Sequence, residues 1–501
     1  MLETLQHLAQ GFGTALSPVA LLYAFVGALL GTATGVLPGI GPASGIAILL
    51  PVVAGSTSDP ILATIMLAGI YYGAMYGGST TAILVNIPGE VASVITTLDG
   101  YQLAKQGKGG VALAIAAIAS FVAGTLSIIG LTFFAPPLAK VALRFGPPEY
   151  FALTALAFTM VIGLSGSSLL KGLVMALVGF LITFVGQDPL TAIPRFSFGS
   201  VHLLSGINLV PVVVGLYAVG EILSNFGSSE NPTFQKISRL YPTRSELKET
   251  SGAMARSGVL GFLLGLLPGV TAGATSFMAY ELEKRVSRNR DQFGKGALAG
   301  VAAAEGANNA ATSGGFVPLF SLGLPTAPAL AVLLSGLMIY GLEPGPMLFA
   351  EQPEFVWGVV ASMYIGNVML LVLNLPLVGF WVKMVQLPYH YLAPLVLVFS
   401  FIGAYSIRNS MYDVATMMVC GVLGFLLQAL KYPMTPLVLG LILGPTLEQS
   451  LRQSLAMSTT SLWILVTRPI VVSLLVGAAL ILGFSLWSHF RRRPAGQDQA
   501  A

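Results

Sequence analysis

Charge is what this chain has least of. Asp, Glu, Lys and Arg make up 9% of its 501 residues against 55% apolar, and the mean hydropathy is +0.83. A water-facing surface of ordinary charge density is thereby excluded, which assigns the chain to a bilayer. Cysteine is nearly absent: the lone Cys420 forms no internal disulfide and, inside an apolar span, reads as small-residue packing. Histidine is scarce and scattered. His7, His202, His390 and His489 make no H-E-x-x-H or helix-spaced pair, so Ser165 in GLSGSS has no base and a membrane hydrolase is excluded. QGKGG at 106–110 lacks the G-x-x-x-x-G-K-[ST] frame of an ATP-driven pump, and the long polar rings of a channel are missing. No enzyme activity, metal site or cofactor is expected. No Lys or Arg precedes Lys105. MLETLQHLAQ thus lacks the basic n-region of a cleaved signal, and the first apolar segment is expected in the mature protein. The net charge of +4 and pI near 9.0 come from loops, where they report orientation rather than nucleic-acid binding.

What the chain does have is apolar length. Stretches near 61–85, 111–135, 151–165, 169–186, 203–224, 355–382, 391–407, 411–430, 434–447 and 465–488 suit membrane crossings, and ten is a floor. Trp357 with Trp381, and Trp463 with Trp487, are spaced to mark the two interfaces of one crossing each. Glycine numbers 58 and proline 30, and an interrupted helix survives in lipid only where protein or a water-filled cavity covers its freed backbone groups.

Two interruptions resemble each other: TGVLPGIGPASG at 34–45 and LLGLLPGVTAGATS at 263–276. The second lies between basic clusters, Lys236 to Arg256 and Lys284 to Lys295, that the positive-inside rule places in the cytoplasm. A segment leaving and regaining one side is a re-entrant hairpin with Pro268-Gly269 at its tip. Residues 19–54 form the matching hairpin. Gly35, Leu37, Pro38 and Gly39 recur as Gly265, Leu267, Pro268 and Gly269, while Gly77, Gly78 and Pro88 recur as Gly314, Gly315 and Pro325. Counting five crossings between corresponding loops makes the repeats inverted, although Lys140, Arg144 and Arg195 then fall outside against the rule. The expected fold is an all-α polytopic membrane protein of about 10–12 transmembrane helices, two inverted repeats with paired Pro-Gly-interrupted hairpins. Its parts are a first repeat (1–226), a cytoplasmic linker (227–256), a second repeat (257–450), a C-terminal crossing (451–490) and a cytoplasmic tail (491–501).

Paired broken helices are the mark of a secondary transporter whose sites lie where the repeats meet. Backbone N–H groups at such breaks bind an anion without a buried cation, and Ser44, Ser79, Thr80, Thr81, Thr271 and Thr275 are candidate hydroxyl donors. This chemistry suits a carboxylate. In AAAEGANNAATSGG (302–315), Glu305, Asn308 and Asn309 share a helix face. An intramembrane Glu is a candidate for the coupling site, carrying a proton or standing ionised beside Na+; the bland alternative pairs it with Lys284 or Lys295 at the interface.

GTATGVLPGIGP, YYGAMYGGSTTAILVNIPGE (71–90), LLPGVTAG and EGANNAATSGGFVPLFSLGLPT (305–326) resemble TctA, the large membrane subunit of the tripartite tricarboxylate transporters, over residues 20–450. The resemblance implies a multi-pass permease of the bacterial inner membrane that imports carboxylates on an ion gradient, H+ or Na+. Its implied partners are a small four-helix membrane subunit and a periplasmic solute-binding protein, besides membrane lipid; a permease acting alone is the alternative. The motif residues that carry over are Pro38-Gly39, Asn86-Ile87-Pro88-Gly89, Pro268-Gly269, Glu305 through Asn309, and Gly323-Leu324-Pro325. With the hydroxyls and with Gly41, Gly77, Gly78 and Thr326 they form the expected substrate site, Glu305 being the ion-coupling residue. Gly306 stands where the family often has Ala, and Thr326 where many members have Gly. The acid carried stays open among citrate, dicarboxylates and aromatic acids.

Overall fold

In lipid, backbone N–H and C=O groups have no water to bond, so an apolar chain resolves into helices. The computed structural model describes residues 2–37, 41–163, 168–188, 190–224, 239–385, 389–458 and 461–491. It divides into two units, residues 1–143 with 210–426, and residues 144–209 with 427–501.

The first unit opens with α1 (Leu2–Ala15), α2 (Pro18–Val36), α3 (Gly41–Ser56), α4 (Pro60–Val85), α5 (Val94–Lys105) and α6 (Gly109–Ala142). Ser17 and Asp59 cap α2 and α4, each followed by a proline whose missing N–H costs nothing at a first turn. The two helices then pack backbone to backbone. Gly31 and Gly35 of α2 face Ile70 and Ala74 so closely that an added Cβ would stand 2.7 Å from each Cα, and Gly73 of α4 returns the contact on α2. Small residues spaced by four allow this approach. After α4 the chain breaks at Asn86, left-handed at φ 61°, and a 3-10 turn (Val91–Ser93) capped by Glu90 leads into α5.

The second unit contributes α7 (Pro147–Gly163), α8 (Leu169–Ile182) and a two-residue antiparallel ladder pairing Gly186 with Arg195. The first unit resumes with α9 (Leu209–Val213), a π-helical turn (Val214–Val219) and α10 (Gly220–Ser224). Next come α11 (Arg244–Gly265), α12 (Ala272–Val286), α13 (Leu298–Gly314), α14 (Phe316–Leu322), α15 (Pro328–Ile339), α16 (Pro346–Glu351), α17 (Pro353–Asn374), α18 (Val378–Val385), α19 (Tyr389–Arg408) and α20 (Met411–Ala429). The second unit closes with α21 (Met434–Met457), α22 (Ile464–Thr467) and α23 (Pro469–Arg491).

α11 and α12 run antiparallel: Arg256 donates from Nε and Nη2 to Glu283 at 2.8 and 2.7 Å, tying the legs together away from the break at 266–271. Gly261 and Gly265 let α11 lie on the Ala307 and Ala311 backbone of α13. α4 ends at a left-handed residue, Asn86 at φ 61°, and α14 ends at another, Gly323 at φ 70°.

Among the described residues six helices are long and apolar enough to cross a membrane, within 18–36, 60–85, 109–142, 353–374, 411–429 and 469–487. Other expected crossings are shorter apolar helices, including α7 and α8. Two expectations need correction. The 355–382 stretch is not one crossing: α17 stops at Asn374, Pro376 lacks the N–H to continue it, and Trp381 lies on α18. Trp357 and Trp381 are both buried, and the indole of Trp381 donates to the Leu373 carbonyl at 2.9 Å, so neither marks an interface. Likewise Pro469 starts α23 afresh, leaving exposed Trp463 outside it. Cys420 is half-buried and packs near Gly215, the small-residue role expected.

In the second unit Arg195 is neutralised by Glu448 at 2.6 Å and Asp188 at 3.3 Å, while Arg452 reaches Asp188 at 2.5 Å. The Arg452 guanidinium, helped by the Thr191 N–H, holds the Asp188 carboxyl well below the usual carboxylate range.

Candidate functional site

The site is built on α13. Its Ala- and Gly-rich sequence lets neighbours approach on every side, and Glu305, Asn308 and Asn309 are buried, Glu305 at 1% exposure. Among the described residues no Lys or Arg is ion-paired with Glu305, so the interfacial pairing with Lys284 or Lys295 is not formed. Instead Thr96 of α5 donates its hydroxyl to Glu305 Oε1. Asn309 donates to Ser120 Oγ of α6 at 2.8 Å and to the Glu305 carbonyl at 3.2 Å. It also borders a narrow crevice shared with Tyr72, Ser313 and Asn367. Asn308 reaches the other half of the chain: its Nδ2 donates to Glu90 Oε1 at 3.2 Å.

Glu90 is the second carboxyl of the site. Its Oε2 accepts the Ala92 N–H at 2.6 Å as the cap of the 3-10 turn, and a Cβ at Gly78 would stand 2.8 Å from its Cγ. Gly89 lies against Gly78 in turn, so only glycine at both places admits Glu90 to α13. Three oxygens here, Glu305 Oε2, Asn308 Oδ1 and Asn309 Oδ1, are buried with no hydrogen-bond partner among the described residues.

Two motifs of the second half meet at the α11–α12 tip. Gly269, at φ 86°, donates its N–H to the Thr326 carbonyl at 3.3 Å, joining Pro268-Gly269 to Gly323-Leu324-Pro325-Thr326. That donor is therefore already engaged. A Cβ at Gly273 would touch Val91 of the 3-10 turn at 3.0 Å.

The remaining expected site residues fall as follows. Pro38 and Gly39 lie outside the described residues; Gly41 opens α3 at φ 57°, with Ser44 buried one turn on. Gly77 packs on α2, and Thr80 is buried on α4. Asn86 is exposed, Pro88 half-buried and Gly89 buried, its N–H directed to the Gly78 carbonyl at 3.4 Å. Several hydroxyls expected as anion donors are directed into their own helices: Ser79 to the Tyr76 carbonyl, Thr81 to Gly78, and Thr275 to Thr271. Thr271 caps α12, accepting from the Ala274 N–H. Gly323, Pro325 and Thr326 form the break after α14, the latter two buried.

Sequence reasoning passed over Glu90, Thr96 and Ser120. Glu90 closes the NIPGE motif, but the residue at the repeat offset is Ala327, so the internal repeat gave it no partner. Thr96 and Ser120 are single hydroxyls on apolar helices whose pairing with α13 is purely tertiary.

Many helices, six of them among the described residues long and apolar enough to cross a membrane, define a polytopic membrane protein. The chain belongs to the tripartite tricarboxylate transporter TctA family, whose profile matches residues 21–439. It is 46% identical over 485 residues, 96% of each chain, to an uncharacterized 52.8 kDa protein in the TAR-I ttuC' 3' region of Agrobacterium vitis. A second protein of that organism, in the TAR-II ttuC' 3' region, is 45% identical over 215 residues, 43% of this chain and 89% of its own. No solved structure matches.

Proposed function

We propose that this chain is the large permease subunit of an importer of tricarboxylates or dicarboxylates in the bacterial inner membrane. A periplasmic solute-binding protein feeds it, a small four-helix subunit accompanies it, and an inward gradient of H+ or Na+ drives it. The observation that carries this reading is the Asn308–Glu90 hydrogen bond, which joins the acid-bearing helix of one half to the NIPGE break of the other. In a transporter of inverted repeats, substrate and ion meet at such a junction. The halves, 1–226 and 257–450 with a linker between and a crossing at 451–490, are inverted in this reading. About 10–12 segments enter or cross the bilayer, and α2–α3 and α11–α12 are re-entrant hairpins. Substrate carboxylate binds at the breaks 38–41 and 268–271, helped by 323–326, and Glu305 couples the ion.

Thiol accessibility tests the topology. In a Cys420→Ser background, single cysteines at Ser251 on α11 and at Asn289 in the turn after α12, both exposed, should both react with an impermeant reagent from the cytoplasm only. Ser56 should react from the periplasm. Labelling of Ser251 and Asn289 from opposite sides would eliminate the re-entrant hairpin. Ser257 is unsuitable because it is buried against Gly306. Uptake by the reconstituted chain should require the binding protein; full uptake without it would favour a permease acting alone.

A further inference from the structure

We propose that Glu90 and Glu305 form one ion site, a carboxyl pair bridged by Asn308 that holds a single proton, resident on Glu305 in the conformation described. The proposal deepens the reading of Glu305 as the coupling residue and rests on it.

A neutral amide between two carboxyls has one face that donates and one that accepts. Asn308 turns its donor to Glu90. Its Oδ1 is left without a donor, as is Glu305 Oε2 one turn back on the same helix face. Each unpartnered buried oxygen costs about 1–3 kcal/mol. One hydrogen on Oε2, turned toward Asn308 Oδ1, satisfies both atoms at once. Reversing the amide exchanges the roles of the two carboxyls and still calls for one proton.

The surroundings select which carboxyl bears it. Glu90 accepts from the Ala92 N–H and from Asn308, which favours its charged form. Glu305 accepts the Thr96 hydroxyl and lies beside the Asn308 amide, but has no backbone N–H donor among the described residues. The completed chain of donors runs Thr96 to Glu305 to Asn308 to Glu90 and ends on the single negative charge. With both carboxyls ionised, two buried charges would share one amide with no paired cation among the described residues. A hard metal cation fits less well, since such ions take about six or more oxygens, and the unpartnered side-chain oxygens at the site among the described residues are three, Glu305 Oε2, Asn308 Oδ1 and Asn309 Oδ1.

The other buried titratable groups on the elements around α13 are otherwise engaged or neutral. Asp99 of α5 is held by the loop before α13 and by Tyr280 of α12, and Glu283 is paired with Arg256 of α11. Tyr71 and Tyr72 of α4 are buried phenols, and the exposed Lys105 lies over the Tyr101 ring.

The test is infrared spectroscopy of the full-length protein in lipid bilayers, titrated with pH in sodium-free and sodium-containing buffer. The wild type should show a protonated-carboxyl C=O stretch at neutral pH that Glu305→Gln removes and Na+ leaves unchanged. In Glu90→Gln, half-protonation of Glu305 should need about tenfold more protons, because a neighbouring negative charge is gone. Asn308→Ala provides a second variant: the band should move to higher frequency as the O–H loses its acceptor. The proposal is overturned if the wild type lacks the band, if Glu305→Gln retains it, if neither second variant moves it, or if Na+ displaces it at constant pH. Gradient-driven uptake separates this outcome from failure of the coupling reading. If Glu305→Gln abolishes uptake while the band is absent from the wild type, Glu305 couples a different ion; wild-type uptake by Glu305→Gln rejects the coupling role itself.

Discussion

Gly265→Leu should yield a chain that inserts poorly and, where recovered, is less stable by about 3 kcal/mol or more. At this position α11 rests on α13, and an added Cβ would stand 2.8 Å from the Ala311 Cα. A flexible side-chain tip could yield, but backbone inside a helix cannot. The substitution therefore drives apart the two helices that hold the tip and the Glu305 cluster together. Gly366→Ala, on α17 where an added Cβ meets nothing within 4 Å, is the control and should change stability by no more than about 1 kcal/mol. Monodispersity in detergent and unfolding in mixed micelles check both; equal behaviour of the two variants would remove the packing argument.

Asp99→Ala should be nearly as damaging, lowering stability by about 3–5 kcal/mol. Asp99 Oδ1 accepts three backbone N–H groups, from Gly294 and Gly296 at 2.8 Å and Ala297 at 2.9 Å, and Oδ2 accepts the Tyr280 hydroxyl at 2.8 Å. Ala297 caps α13 but offers no side-chain bond of its own, so a carboxylate from α5 completes the helix start. The φ of 114° at Gly296, open to glycine, turns that N–H toward the acid. Since Thr96, which contacts Glu305, lies on the same short helix, the loss should spread to the site. Asp99→Asn retains an acceptor for the three N–H groups and should lose about 1–2 kcal/mol; an Asp99→Ala protein as stable as the wild type would contradict the capping role.

The contrast between Glu305 and Glu90 explains how far sequence reading reaches here. A lone carboxyl among Ala and Gly stands out by composition, and Glu305 was legible for that reason. Glu90 was hidden because it follows a Pro-Gly turn, where an acidic residue looks like loop, and because its place in the site depends on Gly78 and Gly89 yielding room. Asp99 gave no motif at all; its partners come from a loop almost two hundred residues away. The break at Pro268-Gly269 was legible because proline and glycine act locally, and the structure ends α11 close before it; Pro38 and Gly39 lie outside the described residues. The tryptophan pairs misled because spacing reports on a crossing only if the helix between them is continuous, and Pro376 interrupts one while Pro469 begins the other anew. The hydroxyls looked like donors to an anion, yet within a helix Ser and Thr find the preceding turn's carbonyls first.

The central claim is that Glu305 couples an ion gradient to carboxylate movement, and one measurement bears on it most directly. Proteoliposomes holding the chain with its partner subunit and binding protein are assayed against a panel of tri- and dicarboxylates, for accumulation under an imposed inward H+ or Na+ gradient and for exchange without one. Glu305→Gln preserves side-chain shape and the acceptor for Thr96, so the fold and exchange should survive while accumulation falls to the no-gradient level. Accumulation by Glu305→Gln at the wild-type rate, with unchanged pH and Na+ dependence, would contradict the account.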